Sequence, residues 1–158
     1  QKYNTAQDYI EALLKQNQSP SSHILAGRIY SQLGQLETAQ QHFSTILAGE
    51  SAVYYSAKAY FENKQTQQGI HLLRRYLKKN SGTYQSHKLL SSLYVVVGSL
   101  DRAHIHNAKA LVLQGKLEQA IERYERAKTT TRSQDLFDII GVEIERLEKR
   151  IDLYKELP

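Results

Sequence analysis

The chain has 158 residues, 41% hydrophobic and 23% charged, enough for one folded domain with a buried core and too apolar for a disordered one. It has no cysteine, which excludes disulfides, thiol chemistry and cysteine-bound zinc, and no apolar run nears the ~20 residues of a membrane-crossing helix. The net charge of +5 lies in the front of the chain, with ten Lys/Arg against five Asp/Glu through Ser99 and eleven of each beyond it; no Arg-rich stripe or aromatic–basic alternation accompanies it to mark a nucleic-acid binder.

The predicted elements begin at once. Residues 3–17 place Ala6, Ile10, Leu13 and Leu14 at helical spacing. Pro20 precedes a helix capped by Ser21 or Ser22 and running to about Leu33, and Gly34 permits a turn. A partner helix follows over 36–47, then, past a tight turn around Gly49, a second pair over 52–63 and 66–79. After another helix ending near Gly98, residues 100–113 form a single helix that closes one hairpin and opens the next. Past the polar stretch KTTTRSQ, Ser133 can cap a final helix with Asp135 in its first turn. Its apolar stripe, Leu136, Ile140, Ile144, Leu147, Ile151 and Tyr154, is narrow and flanked by charges. Such a stripe fits either a coiled-coil dimer or a cap on the last hairpin, and at barely three heptads the cap is the better reading.

One spacing recurs through these elements. Gly27, Tyr30, Gly34, Ala39 and Phe43 return as Ala57, Tyr60, Lys64, Gly69 and Leu73, as Ser91, Tyr94, Gly98, Ala103 and Asn107, and as Ala108, Leu111, Gly115, Ala120 and Tyr124. Small residues let helices touch, a large residue fills the gap, and a turn joins the two. The pattern resembles the tetratricopeptide repeat. The resemblance implies an all-α solenoid of antiparallel helical hairpins with a C-terminal capping helix. Residues 1–18 would be the second helix of a truncated repeat, 19–130 the repeats, the last two sharing a helix, and 131–158 the cap. With the missing first half and the lack of any Met, the chain reads as a segment of a longer protein.

Chemistry is sparse. His104 and His106 are two apart and point to opposite sides of a helix, and His23, His42, His71 and His87 are scattered. No H-E-x-x-H, G-x-S-x-G, Walker or dinucleotide pattern occurs. Each acid of the last helix has a basic neighbour three or four residues away, which describes a solvated face. No catalytic residue, metal ligand or cofactor is therefore expected in this chain. A recognition groove is the better candidate. If the first helix of each hairpin lines it, the groove holds Ile24, Arg28 and Gln32; Tyr54, Lys58 and Phe61; Lys88, Ser92 and Val96; and Ile105, Lys109 and Leu113. Arg28, Lys58 and Lys109 would set basic centres between apolar walls, suited to protein segments carrying acidic groups. The Lys/Asn and Lys-x-x-x-Arg pairs that grip chaperone tails in some such repeats are absent.

The stretch HIHNAKALVLQGKLEQAIERYERAK, a Ser/Thr-rich link and EIERLEKRIDLYKEL together resemble the C-terminal end of the β-barrel assembly-enhancing proteases. That resemblance implies a periplasmic location and an upstream zinc metallopeptidase domain with H-E-x-x-H, none of it in this chain. It also implies contacts with the outer-membrane barrel assembly machinery and unfolded barrel substrates. The alternatives are a stand-alone scaffold or adaptor in secretion or pilus assembly, and an element that self-associates through its last helix.

Overall fold

The computed structural model describes residues 2–46 and 49–156. Among them all regular structure is helical: α1 (Lys2–Gln16), α2 (Pro20–Gln32), α3 (Leu36–Thr45), α4 (Glu50–Glu62), α5 (Thr66–Leu77), α6 (Tyr84–Val96), α7 (Leu100–Leu113), α8 (Leu117–Thr130) and α9 (Gln134–Lys155). Leu47, the expected end of the first partner helix, lies outside the described residues. The chain divides into two compact units, Gln1–Ser81 and Gly82–Pro158.

The first unit contains α1 to α5, packed as neighbours along the chain, with α2 also against α4. The start of α2 differs from the sequence reading. Ser19, not Ser21 or Ser22, is the N-cap, and its hydroxyl accepts the Ser22 N–H at 3.2 Å. Pro20 is thereby the first helical residue, where it has no hydrogen bond to forfeit. The helix ends in a Schellman turn: the Gly34 N–H reaches the Ser31 carbonyl at 3.0 Å and the Gln35 N–H the Tyr30 carbonyl at 2.9 Å. This geometry explains the spacing between Tyr30 and Gly34. The same pair of bonds ends α4, α6 and α7. Gly34, Gly98 and Gly115 occupy the left-handed position at φ 76, 75 and 73°, but in the second hairpin Lys64 holds it at φ 61°. A side chain there is strained by about 1 kcal/mol relative to glycine.

The core of this unit is Ile10, Ala26, Tyr30, Ala39, Phe43 and Ala59. Its tightest point is Gly27, where a Cβ would collide with the Phe43 ring. The two lie sixteen residues apart, the separation that recurs through the repeat, so the small position exists to admit the large one. Against the 34-residue step between Lys64 and Gly98, the 30-residue step between Gly34 and Lys64 is two residues shorter in α3, ten long against twelve in α5, and two shorter in the connection that follows, 46–49 against 78–83. The short connection around Gly49 thus supplies half of the missing residues. Gly49 itself is an extended N-cap of α4, at φ −140°.

In the second unit α7 packs on both α6 and α8, and α9 closes against α8. The half-step in the repeat corresponds to this one helix with two partners. Ser91 stands at the small position of α6 and satisfies its buried hydroxyl by donating to the Ala103 carbonyl of α7 at 2.8 Å. Ala108, Leu117, Ala120, Tyr124 and Ala127 form a core with Ile140, Ile144 and Leu147 of α9. Ser133 caps α9 by accepting the Leu136 N–H at 3.3 Å. The expected stripe is covered through Ile151, but Tyr154 is 54% exposed and accepts a hydrogen bond from Arg150 of its own helix. Lys128 of α8 sits over the Phe137 ring, 4.6 Å from its centre.

Two stability changes follow. Gly27→Ala should lower the urea-unfolding free energy by about 1–2 kcal/mol, because overpacking Phe43 outweighs the ~1 kcal/mol gain in helix propensity. Lys64→Gly should raise it by roughly 0.5–1 kcal/mol by relieving the left-handed side chain. An unchanged midpoint in the first variant would contradict the seating of Gly27 beneath Phe43.

Candidate functional site

In the first unit the contact of α2 with α4 brings two of the basic candidates together. Arg28 and Lys58 line one narrow crevice of about 30 Å³ with Ser31, Gln32, Tyr55 and Glu62, Phe43 and Ala59 closing it. Arg28 is exposed, and its guanidinium carbon lies 5.8 Å from the centre of the Tyr55 ring, a stacking contact that holds the charge over the crevice. Tyr54 meets Tyr55 edge-on at 5.2 Å, so two successive aromatic rings are fixed at the start of α4. Ile24, Tyr54 and Phe61 are half-buried, and Gln32 is exposed.

Lys58 is not a bare cation. Its ammonium lies 3.7 Å from the Glu62 carboxylate, both side chains 41% exposed, so water screens the pair and its contribution to stability is small. Glu62 also accepts from the Ser31 hydroxyl of α2 at 3.4 Å. The Asn63 amide donates to the Ser31 hydroxyl at 3.1 Å and to the Ala59 carbonyl at 2.9 Å, tying the ends of α2 and α4 together. Ser31, Gln32, Gly34, Glu62 and Asn63 then border an open polar cleft of about 470 Å³. The sequence reading missed Tyr55, Glu62 and Asn63. Glu62 was legible as the acid four residues after Lys58; Tyr55 and Asn63 depend on the approach of α2 to α4, which no local pattern announces.

In the second unit Lys88, Ser92 and Val96 are exposed on α6, and Lys109 and Leu113 on α7. Ser92 turns its hydroxyl back to the Lys88 carbonyl at 3.2 Å. Ile105 is half-buried and packs against the α7–α9 core, so it supports the fold as well as its surface. Val95 and Val96, 54% and 59% exposed, form an apolar step at the end of α6. Among the described residues no three His, Cys, Asp or Glu side chains gather in a way that could hold a metal ion, and no helix is long and apolar enough to cross a membrane.

The histidines are scattered along the sequence, yet in the fold four of them pair. His23 of α2 meets His42 of α3 with Nδ1 atoms 3.1 Å apart, and His87 of α6 meets His106 of α7 at 3.0 Å. Tyr30 stacks on His42 at 5.3 Å and Tyr94 on His106 at 5.6 Å. Burial, and then the charge of His23, hold His42 below the ordinary imidazole value. Burial, followed by Arg123 and Arg126, does the same to His104 on the other side of α7. Tyr30 and Tyr124 are raised chiefly by burial, with Glu11 adding to the first and Glu143 to the second.

No protein-family model and no curated protein matches the chain. Among solved structures it is similar to a Podosopora anserina putative kinesin light chain with nearly identical TPR-like repeats, at 19% identity and a TM-score of 0.42, over 87% of this chain and 90% of that one.

Proposed function

We propose that this chain is a non-catalytic protein-recognition module of the tetratricopeptide type. It would bind extended or helical protein segments carrying acidic groups on the exposed faces of its hairpins' leading helices. The observation that supports this most directly is the crevice between α2 and α4, where Arg28 and Lys58 converge beside Tyr54 and Tyr55. Aromatic rings held rigidly by neighbours offer contact area at low entropic cost, and a stacked guanidinium presents a fork suited to a carboxylate. The half-neutralisation of Lys58 by Glu62 makes Arg28 the stronger of the two anchors. Lys88, Ser92, Ile105 and Lys109 would supply a second, separate contact face in the other unit.

In the finer form of this proposal, the chain serves as the repeat domain of a periplasmic zinc metalloprotease of the β-barrel assembly-enhancing type. It would contact the barrel assembly machinery and unfolded outer-membrane proteins. The order of the repeats, the shared α7 and the closing α9 support that reading through the sequence resemblance. Zinc would then belong to an upstream domain, with no ligand drawn from this chain.

Photo-crosslinking from position 54 in the native cell envelope should capture a protein partner. Arg28→Glu with Lys58→Glu should weaken that partner's binding by roughly tenfold or more, with helicity unchanged. Undiminished binding by this double variant would overturn the groove assignment. The finer reading has its own test: the coding sequence upstream of Gln1 should carry an H-E-x-x-H helix, and a gene lacking it leaves only the adaptor.

A further inference from the structure

Beside the crevice that holds Arg28 and Lys58 lies the open cleft of about 470 Å³, and the two share Ser31, Gln32 and Glu62. Their order along the helices is fixed. Arg28 shares the crevice with Lys58, whereas Ser31 meets Glu62 and Asn63, so α2 and α4 run in the same direction here. Each helix therefore presents a cation first and acceptor groups about one turn, ~5.4 Å, further on.

We propose that this site takes a dipolar segment, with an acidic side chain over Arg28 and Lys58 and a basic one a turn further along, over Glu62 and Asn63. The inference rests on the recognition groove proposed above and adds the ligand's second charge and its direction. Glu62 is oriented but keeps capacity to accept. One of its carboxylate oxygens accepts from the Ser31 hydroxyl at 3.4 Å, and the Lys58 ammonium, 3.7 Å from the other, is beyond hydrogen-bond range. A carboxylate offers about four acceptor sites, so an incoming cation finds room. The Asn63 amide donates to Ser31 and Ala59, which leaves its side-chain oxygen to accept. The ends of α2 and α4, capped by Leu33 and Asn63, meet at the same cleft, and the negative end of each helix dipole favours a cation there. Lys64, which follows on the turn, is exposed and lines neither the crevice nor the cleft.

A purely acidic segment would meet Glu62 as a like charge. A segment with both charges gains at two points. Its base pairs with Glu62, and Glu62, drawn away from Lys58, leaves that ammonium to the ligand's acid. The helices also set the spacing. Side chains about 6 Å apart on one face of a ligand are three or four residues apart in a helix and two apart in a strand. The direction is set as well: the base lies toward the Gly34 turn, and the acid toward the starts of α2 and α4.

The test uses a random peptide library displayed on phage, selected on the whole chain and scored against the Arg28→Glu/Lys58→Glu variant. The selected peptides should carry an acid and a base at one of these spacings. One of them is synthesised with its basic residue kept and with that residue replaced by Gln, and both are titrated against wild type and Glu62→Gln. The new amide can still accept from Ser31, so the tie between α2 and α4 is preserved. Glu62→Gln should weaken binding of the dipolar peptide by roughly three- to tenfold and leave the Gln-substituted peptide unchanged or tighter, because only the first presents a cation to the carboxylate. Selected peptides that are acidic with no paired base, or an equal change for both synthetic peptides, would overturn the dipolar reading and leave the groove standing. A pool retained no better by wild type than by the Arg28→Glu/Lys58→Glu variant would instead remove the groove itself.

Discussion

The fold depends on how closely two helices of a hairpin can approach. At Gly27 the approach is so close that no side chain fits beneath the Phe43 ring. Everything else in the first hairpin is adjusted to that contact. Tyr30 lies one turn further along, its carbonyl closes the Schellman turn, and the turn returns the chain at the angle that sets Phe43 over Gly27. The other hairpins keep the separation and relax the extreme: Ala57, Ser91 and Ala108 stand where Gly27 does, and the residues sixteen positions on are Leu73, Asn107 and Tyr124. Where Ala57 and Ser91 enlarge the small position the facing residue shrinks to Leu73 and Asn107, as dense packing requires, whereas Ala108 keeps a large partner in Tyr124.

This division of labour leaves the leading helices with a free side. Their packed face is committed to small residues and the turn, so the other can carry Arg28, Lys58 and Lys88 at little cost to stability. It also explains why the crevice between α2 and α4 is not uniformly basic. The ends of α2 and α4 must satisfy backbone and hydroxyl groups where the helices meet, and Ser31, Glu62 and Asn63 do so with a network that includes a carboxylate. In the proposed groove, structural bonding and recognition would therefore share residues, which narrows the useful positive charge to Arg28 and its aromatic support.

Much of this is legible in the residues. The helices, the glycine turns, the shared α7 and the closing α9 all follow from periodicity, because helix–helix packing in hairpins repeats its demands at fixed spacing. The differences lie where identity and position trade places. Ser19 is hard to single out because three serines surround one proline, and only backbone geometry shows which hydroxyl meets an N–H. Gly49 looks like a turn glycine, yet it is the extended N-cap of α4, and the shortening is divided between α3 and the connection that ends at Gly49. Lys64 sits in a glycine's place in the pattern, and its left-handed backbone fits that register while adding a strain that the pattern does not state.

The sequence by itself determined the helical hairpins, because local spacing decides which residues can sit at a close helix contact. It also determined which leading-helix residues are candidates for recognition. Only the tertiary structure decided which of those candidates meet: α2 lies against α4, so Arg28 and Lys58 share a crevice and Tyr55 supports the first of them. It also decided that His23 belongs with His42, and His87 with His106. Nineteen residues separate the members of each pair, and nothing in a helical period links positions on two different helices. The turn and the tilt of the second helix bring them together, and these are properties of the packed hairpin.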